Sequence, residues 1–331
     1  MACSNYSKTT ASGDEQYPRL YDVMTFADVC ADLIVTGNVR PRFRQVEQFV
    51  NYSLQIGGSG AIFAAQMARL GGSTALLGWL GRDVFGEYVY AELKKTGIDV
   101  TRLKLHEEAQ TCLGLALSEP NDRAILTHLG ALNAATPDDL DPDLLQLCRH
   151  WHIAGYFLLP HLQPAWKTWL ELCRAKGVTT SLDTNWDPSE RWLGVLELLP
   201  LIDVFLPNEA EALSISDQPD AYVAAQMLSD YGPLVVVKRG AEGALAIKGW
   251  EQHELHASES PFRPARIIDT TGAGDNFDAG FLYAWLRHEE IQACLNLAHR
   301  CAVSSLEFPG GIAGQICDTT GIVGIKEGRT E

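Results

Sequence analysis

The 331-residue chain has no Cys-x-x-Cys pair and no His–Cys group at zinc spacing, which removes the common structural zinc modules. No apolar run approaches the ~20 residues that a bilayer-spanning helix needs. Basic residues are scarce: 26 Lys and Arg stand against 42 Asp and Glu, a net charge of −16. A polyanion such as nucleic acid is therefore excluded as a partner, because nothing would replace its released counterions. A single nucleotide is not excluded, since it needs only a local cradle. The eight cysteines are scattered, and in a chain of this size without secretory features they read as small buried hydrophobes, with no disulfide expected. The opening stretch to residue 17 is polar and lacks a charged-then-apolar layout, so it is expected to be a loose tail on a cytoplasmic protein.

What is present is an apolar content of 46% and a regular alternation of short β-rich and helix-length segments, punctuated by glycine. Residues 23–37 read as the first strand. Residues 60–72 read as a helix closed by glycine, and 74–81 as a strand. Asp83 then caps a helix ending at Gly97. This rhythm continues to the helix from Ala273 and predicts a mainly parallel sheet with helices on both faces. Residues 38–56 and 103–129 break it. They read as strands without intervening helices, the second a hairpin around Pro120, Asn121 and Asp122, and together they predict a small β lid on the body spanning 18–331.

The stretch "IIDTTGAGDNFDAGFLYAWL" (267–286) carries the chemistry. Phe277, Phe281 and Trp285 recur every fourth residue, so a helix starts near Ala273. Its first turn offers unpaired amides and a partial positive charge, and Gly272, Ala273 and Gly274 leave those amides open to an anion. Asp275 would repel that anion if it faced it. Aimed at an incoming hydroxyl, it accepts a proton while the amides hold a phosphoryl group. No lysine follows the glycines, so this is not a P-loop. An ordinary strand-to-helix turn explains a lone Gly-x-Gly-Asp as well.

The whole segment, however, closely resembles the second signature of the ribokinase-like (PfkB) carbohydrate kinases, D-T-x-G-A-G-D-x-F-x-x-G-F. Asp269, Thr270, Gly272, Ala273, Gly274, Asp275, Phe277, Gly280 and Phe281 are in place. "GGSGAIFAAQMARLGGSTALLGWLGRDVFG" resembles the first signature, and the likeness runs from about Met24 to Gly314. It implies a three-layer α/β/α fold with a β lid, ATP and Mg²⁺ as cosubstrate and cofactor, and in many members a monovalent cation such as K⁺ near Asp269 and Thr271. By resemblance Asp275 is the base, the 272–274 amides are the anion hole, and Asp32 with Gly57 and Gly58 grips the sugar. Asn208 and Glu211, an N-x-x-E pair, organise Mg²⁺ through water. Lys238, Gly240, Gly243 and His299 flank the nucleotide, Lys238 either reaching a phosphate or lying solvated. Pairing of two copies through the lid is a further implication.

The departures concern the acceptor. Ile62 stands where many sugar-specific relatives have Asn, Ala27 replaces a glycine, and Cys30 replaces the Asn of ribokinases proper. "DTNWDPSERW" lacks the Arg that hexose and ketodeoxygluconate kinases place after its aromatic. These changes spare the phosphoryl machinery but do not carry over ribose or ketodeoxygluconate as substrate. The expected activity is ATP-dependent phosphorylation of a sugar or polyol hydroxyl. Its rivals are a nucleoside kinase with Phe49 and Tyr52 sandwiching the base, and a non-catalytic sugar sensor. A dinucleotide oxidoreductase fails because "GGSGAIF" lacks the third glycine.

Overall fold

The computed structural model describes residues 19–44, 46–119 and 122–317, so the tail expected at 1–17 and two residues of the predicted turn, 120 and 121, lie outside it. In chain order the strands are β1 (Tyr21–Phe26), β2 (Cys30–Gly37), β3 (Val50–Gly57), β4 (Thr74–Gly81), β5 (Asp99–His106), β6 (Cys112–Glu119), β7 (Asp122–His128), β8 (Cys148–Ile153), β9 (Thr179–Leu182), β10 (Val204–Phe205), β11 (Leu234–Lys238), β12 (Gly243–Lys248) and β13 (Glu251–His256). The helices are α1 (Ser59–Arg69), α2 (Val84–Lys95), α3 (Gln163–Ala175), α4 (Val195–Leu198), α5 (Glu209–Ser216), α6 (Ala221–Ser229), α7 (Ala273–Trp285) and α8 (Ile291–Ser305).

The large sheet has the order β13–β12–β11–β10–β9–β8–β1–β4–β5. All neighbours from β11 to β5 are parallel, and β12 and β13 add an antiparallel edge. Both faces are buried, as parallel sheets require. Met24 and Phe26 of β1 and Val235 and Val237 of β11 join a core with α3, α4 and α6. Val23 and Val236 face the opposite way, into a core with α1, α7 and α8. The expected three-layer sandwich is thus present. Helix α7 fits closely against α8 because Gly280 has no side chain. A Cβ there would lie 2.8 Å from the Ala298 Cα and 2.9 Å from the Leu297 carbonyl oxygen.

The lid is a four-stranded sheet, β3–β2–β6–β7, whose central pair is parallel and whose outer pairs are antiparallel. Three expectations need correction here. Residues 23–37 are two strands in two different sheets, divided at 27–29. Ala27, Asp28 and Val29 are as buried as the strands they join, so the apolar pattern runs through the crossing unbroken. Asp32 is consequently the third residue of lid strand β2. The stretch from Leu103 to His106 belongs to β5 and pairs with β4 in the large sheet. Finally, Cys30 and Cys112 form a disulfide: they are register partners of β2 and β6 with Cα atoms 4.6 Å apart, a proximity hidden by 82 residues of separation. Cys148, Cys173, Cys294 and Cys301 are buried and free, as expected. Among the described residues no helix is long and apolar enough to cross a membrane.

Two histidines are sealed inside the sheet. His150 contacts the Thr179 and Ser181 hydroxyls at 2.8 and 2.7 Å, and His152 shares the Ser181 hydroxyl at 2.8 Å while stacking on Phe63. Burial holds His150 well below the usual histidine range and brings His152 down to about 3. Both rings stay neutral in the folded protein, whereas the unfolded chain takes up protons below its ordinary value. Stability should therefore fall as pH drops below ~6.5, by about 1.4 kcal/mol per ring per pH unit. Urea unfolding between pH 7 and 5.5 should show this slope, and it should flatten in His150→Gln.

Candidate active site

The site lies where α7 meets the carboxyl ends of the parallel strands, the usual ligand position in open α/β sheets. Gly272 caps α7 in the left-handed region, at φ 75°. A side chain there would strike the Gly311 Cα at 2.6 Å and Ile62 at 3.1 Å. The turn is tied down from behind by Asn276, fully buried, whose Nδ2 donates to the carbonyls of Gly272 and Gly311, both at 2.8 Å. Asp269 fastens its front. One carboxylate oxygen accepts from the Thr271 amide and hydroxyl at 2.9 and 2.8 Å, and the other from the Gly310 amide at 2.8 Å. With Gly272 at the cap, the amides of Ala273, Gly274 and Asp275 open the helix.

Asp275 is half-buried in this first turn. Its carboxyl is pushed up to about 8, first by burial and then by the nearby Asp183, with Asp28 and Glu211 adding to the effect and Lys238 opposing it. A carboxylate poised near neutrality suits a general base.

Lys238 differs from expectation. Its ammonium neither lies solvated nor stands free to meet a phosphate. It donates to Asp183 Oδ2 at 2.8 Å and to both oxygens of Asp278 at 3.0–3.1 Å. Burial alone would favour the neutral amine, but the surrounding carboxylates outweigh it and raise the Lys238 pKa. Desolvation works against Asp183 too, yet Lys238 brings it down to about 2, whereas burial pushes Asp278 well up.

Asn208 caps α5, and the N-x-x-E spacing is a reciprocal capping box. Asn208 Oδ1 accepts from the Glu211 amide, and Glu211 Oε2 accepts from the Asn208 amide, both at 2.9 Å. Glu211 is nevertheless 3% exposed, not solvated, and burial followed by Asp183 lifts its carboxyl to about 7. Gly243, at φ 113°, cannot carry a side chain because a Cβ would overlap the Leu255 carbonyl. Gly240, at φ 54°, has open space around it. His299 is buried, 3.2 Å from the Phe262 carbonyl, and burial lowers its pKa.

On the lid, the Asp32 carboxylate lies flat over two glycines. A Cβ on Gly57 or Gly114 would overlap it, at 2.2 and 2.4 Å. Gly58, at φ 93°, turns the chain into α1, and a Cβ there would meet the Asp28 carbonyl at 1.7 Å. Asp28 in turn receives the amides of Ser59 and Gly60, both at 3.1 Å, and the Ser59 hydroxyl at 2.9 Å. Asp28, Gly114, Asn276 and Asp278 were not singled out in the sequence, and Asp183 figured there only as the first residue of "DTNWDPSERW". Only Asn276 and Asp278 had a local signal, their places beside Asp275. A cleft of about 980 Å³ separates the lid from the strand-to-helix loop; Ile34, Ser53, Tyr52, Arg266, Ile268 and Asp269 are in its walls. Phe49 is 91% exposed and Tyr52 75%, and neither packs against a ring among the described residues.

A large parallel sheet, a β lid and a glycine-capped helix bearing a raised carboxyl define a phosphotransferase of the open α/β type. Residues 22–316 match the family model described as pfkB family carbohydrate kinase, and the chain belongs to that family. It is 28% identical over 268 residues to the ATP-dependent ribose-1-phosphate kinase of Halopiger xanaduensis, covering 79% of this chain and 84% of the relative. It is 31% identical over 278 residues to a fructokinase of Salmonella typhimurium, covering 77% and 87%. Among solved structures, Arabidopsis thaliana ribokinase complexed with ribose and ATP superimposes with a TM-score of 0.76 at 23% identity, covering 89% of this chain and 96% of that one.

The Asp32 arrangement makes Gly114 a test of the lid. Gly114→Ala should displace the carboxylate and raise the acceptor KM about tenfold or more, the loss of one charge-assisted hydrogen bond. Steady-state kinetics alongside thermal melts should show that effect with folding retained.

Proposed function

We propose that the protein transfers the γ-phosphoryl group of ATP to a hydroxyl of a sugar or related polyol, with Asp275 as the base. The observation that carries this reading is the pairing, in one helical turn, of a glycine-capped helix start, where the Ala273 amide makes only a long 3.4 Å bond to the Thr270 carbonyl, with a carboxylate whose proton affinity has been raised to the neutral range. Asp32 and the Gly57–Gly58 backbone orient the acceptor. Its hydroxyl proton passes to Asp275, its oxygen forms the new bond to phosphorus, and the bond from phosphorus to the β–γ bridging oxygen breaks to leave ADP. The Ala273 and Gly274 amides, with Gly272 at the cap, hold the charge spread over the moving phosphoryl oxygens.

The residues present fit Mg²⁺. Glu211, Asp275 and Asp278 share one lysine, and burial first and the neighbouring Asp183 next raise their pKa values, a crowding of acids that a divalent cation would relieve. Glu211 and Asn208 would hold the ion through water, and when bound it supplies neutralisation of the phosphate charge. A monovalent cation such as K⁺ at the loop of Asp269 and Thr271 belongs to the same reading, supported by the way Asp269 joins that loop to Gly310. Gly240, Gly243 and His299 would border the nucleotide. A cytoplasmic location belongs to the same reading, supported by the use of ATP.

The two relatives named above act on different acceptors by name, and Ile62, 2% exposed and packed against Gly272 and Gly311, offers no polar contact to any acceptor. An ADP-release screen over pentoses, hexoses, sugar phosphates and nucleosides decides among them. A chain that binds these ligands without releasing ADP would instead be a sensor.

Asp275→Asn should lower kcat by about 10²–10⁴-fold while leaving ATP binding within a few-fold. In the wild-type enzyme, kcat/KM should fall as pH drops through the range where Asp275 gains its proton, close to neutrality and far above the ordinary carboxylate value. Near-normal turnover by Asp275→Asn would end the assignment.

Exposed apolar side chains on the lid, Tyr52 at 75% and Leu126 at 61%, support pairing of two copies through this sheet. Analytical ultracentrifugation should show a dimer, and Leu126→Lys should shift it towards monomer.

A further inference from the structure

A buried cluster of charged groups centres on Lys238, and the lysine itself has no role in the reading above. Three elements meet there: β9 delivers Asp183 just beyond its last residue, β11 ends on Lys238, and α7 contributes Asp278 one turn after Asp275. The side chains are 5%, 11% and 1% exposed respectively. Asp275 and Asp278 are three residues apart and so share a helix face.

The lysine also reaches the anion-binding turn itself. A Cβ built on Gly274 would lie 3.5 Å from Lys238 Nζ, 3.8 Å from Cε and 3.9 Å from Cδ. The end of the lysine side chain thus faces the open side of Gly274, where a side chain would otherwise sit, and its ammonium is held by two acids. The main chain of Lys238 is fixed as well: its amide donates to the Pro207 carbonyl at 2.9 Å, and it forms a parallel bridge with Asn208. The rigid end of β11 is coupled in this way to the first turn of α7.

We propose that Lys238 is a positioning residue, a fixed positive charge held by Asp183 and Asp278 that props the Gly274 turn and sets the placement of the base on α7. The proposal rests on the reading of Asp275 as the base. Lys238 acts through Gly274 and Asp275 without touching ATP, because its ammonium is already committed to carboxylates. Four groups on other elements face Asp275: Asp183 beyond β9, Lys238 on β11, Asp28 between β1 and β2, and Glu211 on α5. Lys238 is the one cation among them. Removing it leaves three acids that all favour the protonated base.

Lys238→Met keeps the length of the stem and deletes the charge. Its kcat should fall at least about tenfold, with the KM values for sugar and ATP within about threefold. The acid limb of its kcat/KM profile should move to higher pH. Wild-type kcat with an unmoved limb overturns the proposal. So does a loss confined to the KM for ATP, which would make Lys238 a phosphate contact.

Deleting one partner of a buried ion pair strands the other charge and risks the fold, whereas deleting both is better tolerated. The double variant Lys238→Met/Asp183→Asn therefore decides the matter if the single variant fails to fold. Slow turnover by the folded double variant supports the proposal, and wild-type turnover overturns it. Asp275→Asn assayed in parallel separates the two readings. If it is active, the base assignment fails; if it is inactive while Lys238→Met is normal, only the role of Lys238 fails.

Discussion

The structure depends on one close approach: the first turn of α7 brought against the Gly311 backbone and the Ile62 side chain, with no side chain of its own at the point of contact. Gly272 has neither the room nor the conformation for a side chain, wedged against Gly311 and Ile62 at φ 75°. That geometry exposes helix amides without blocking them, and it stands only because Asn276 and Asp269 hold the turn from both sides. The charge of the helix end is worth most where water is excluded. The same exclusion raises the proton affinity of Asp275, Asp278 and Glu211. On the proposed reading, anion hole and base are two results of a single burial.

Much of this was legible because it is local. The glycines, Asp275 and the four-residue apolar step lie within one twenty-residue segment, and that segment folds as its spacing predicts. Asp83 likewise caps α2 as its position implies, accepting from Gly86 at 2.8 Å. The α/β architecture was readable from alternation, since parallel strands buried on both faces stand out as continuous apolar runs.

What was not legible is what the fold assembles from a distance. Lys238 lies 55 residues from Asp183 and 40 from Asp278, and a lone lysine at a strand end looks the same whether it meets solvent, phosphate or carboxylate. Cys30 and Cys112 are neighbours only because β2 and β6 are. The division between β1 and β2 was invisible for another reason. Ala27 and Val29 are apolar and Asp28 is buried by its bonds to α1, so no glycine, proline or exposed polar residue marks the change of sheet. Gly114 drew no notice because its purpose, to let a neighbouring carboxylate lie flat, depends on a strand whose partner was unknown.

The link between β1 and β2 has a mechanical meaning. Three residues, 27–29, carry the chain from the body into the lid, and an extended chain advances at most about 3.5 Å per residue. Asp28 pins their middle to the start of α1. Asp32, three residues beyond that link, is on a short leash: it can swing about this pivot but cannot slide away. Asp32 therefore keeps a nearly constant radius from the start of α1, and any movement of the lid about this link changes its angle more than its reach.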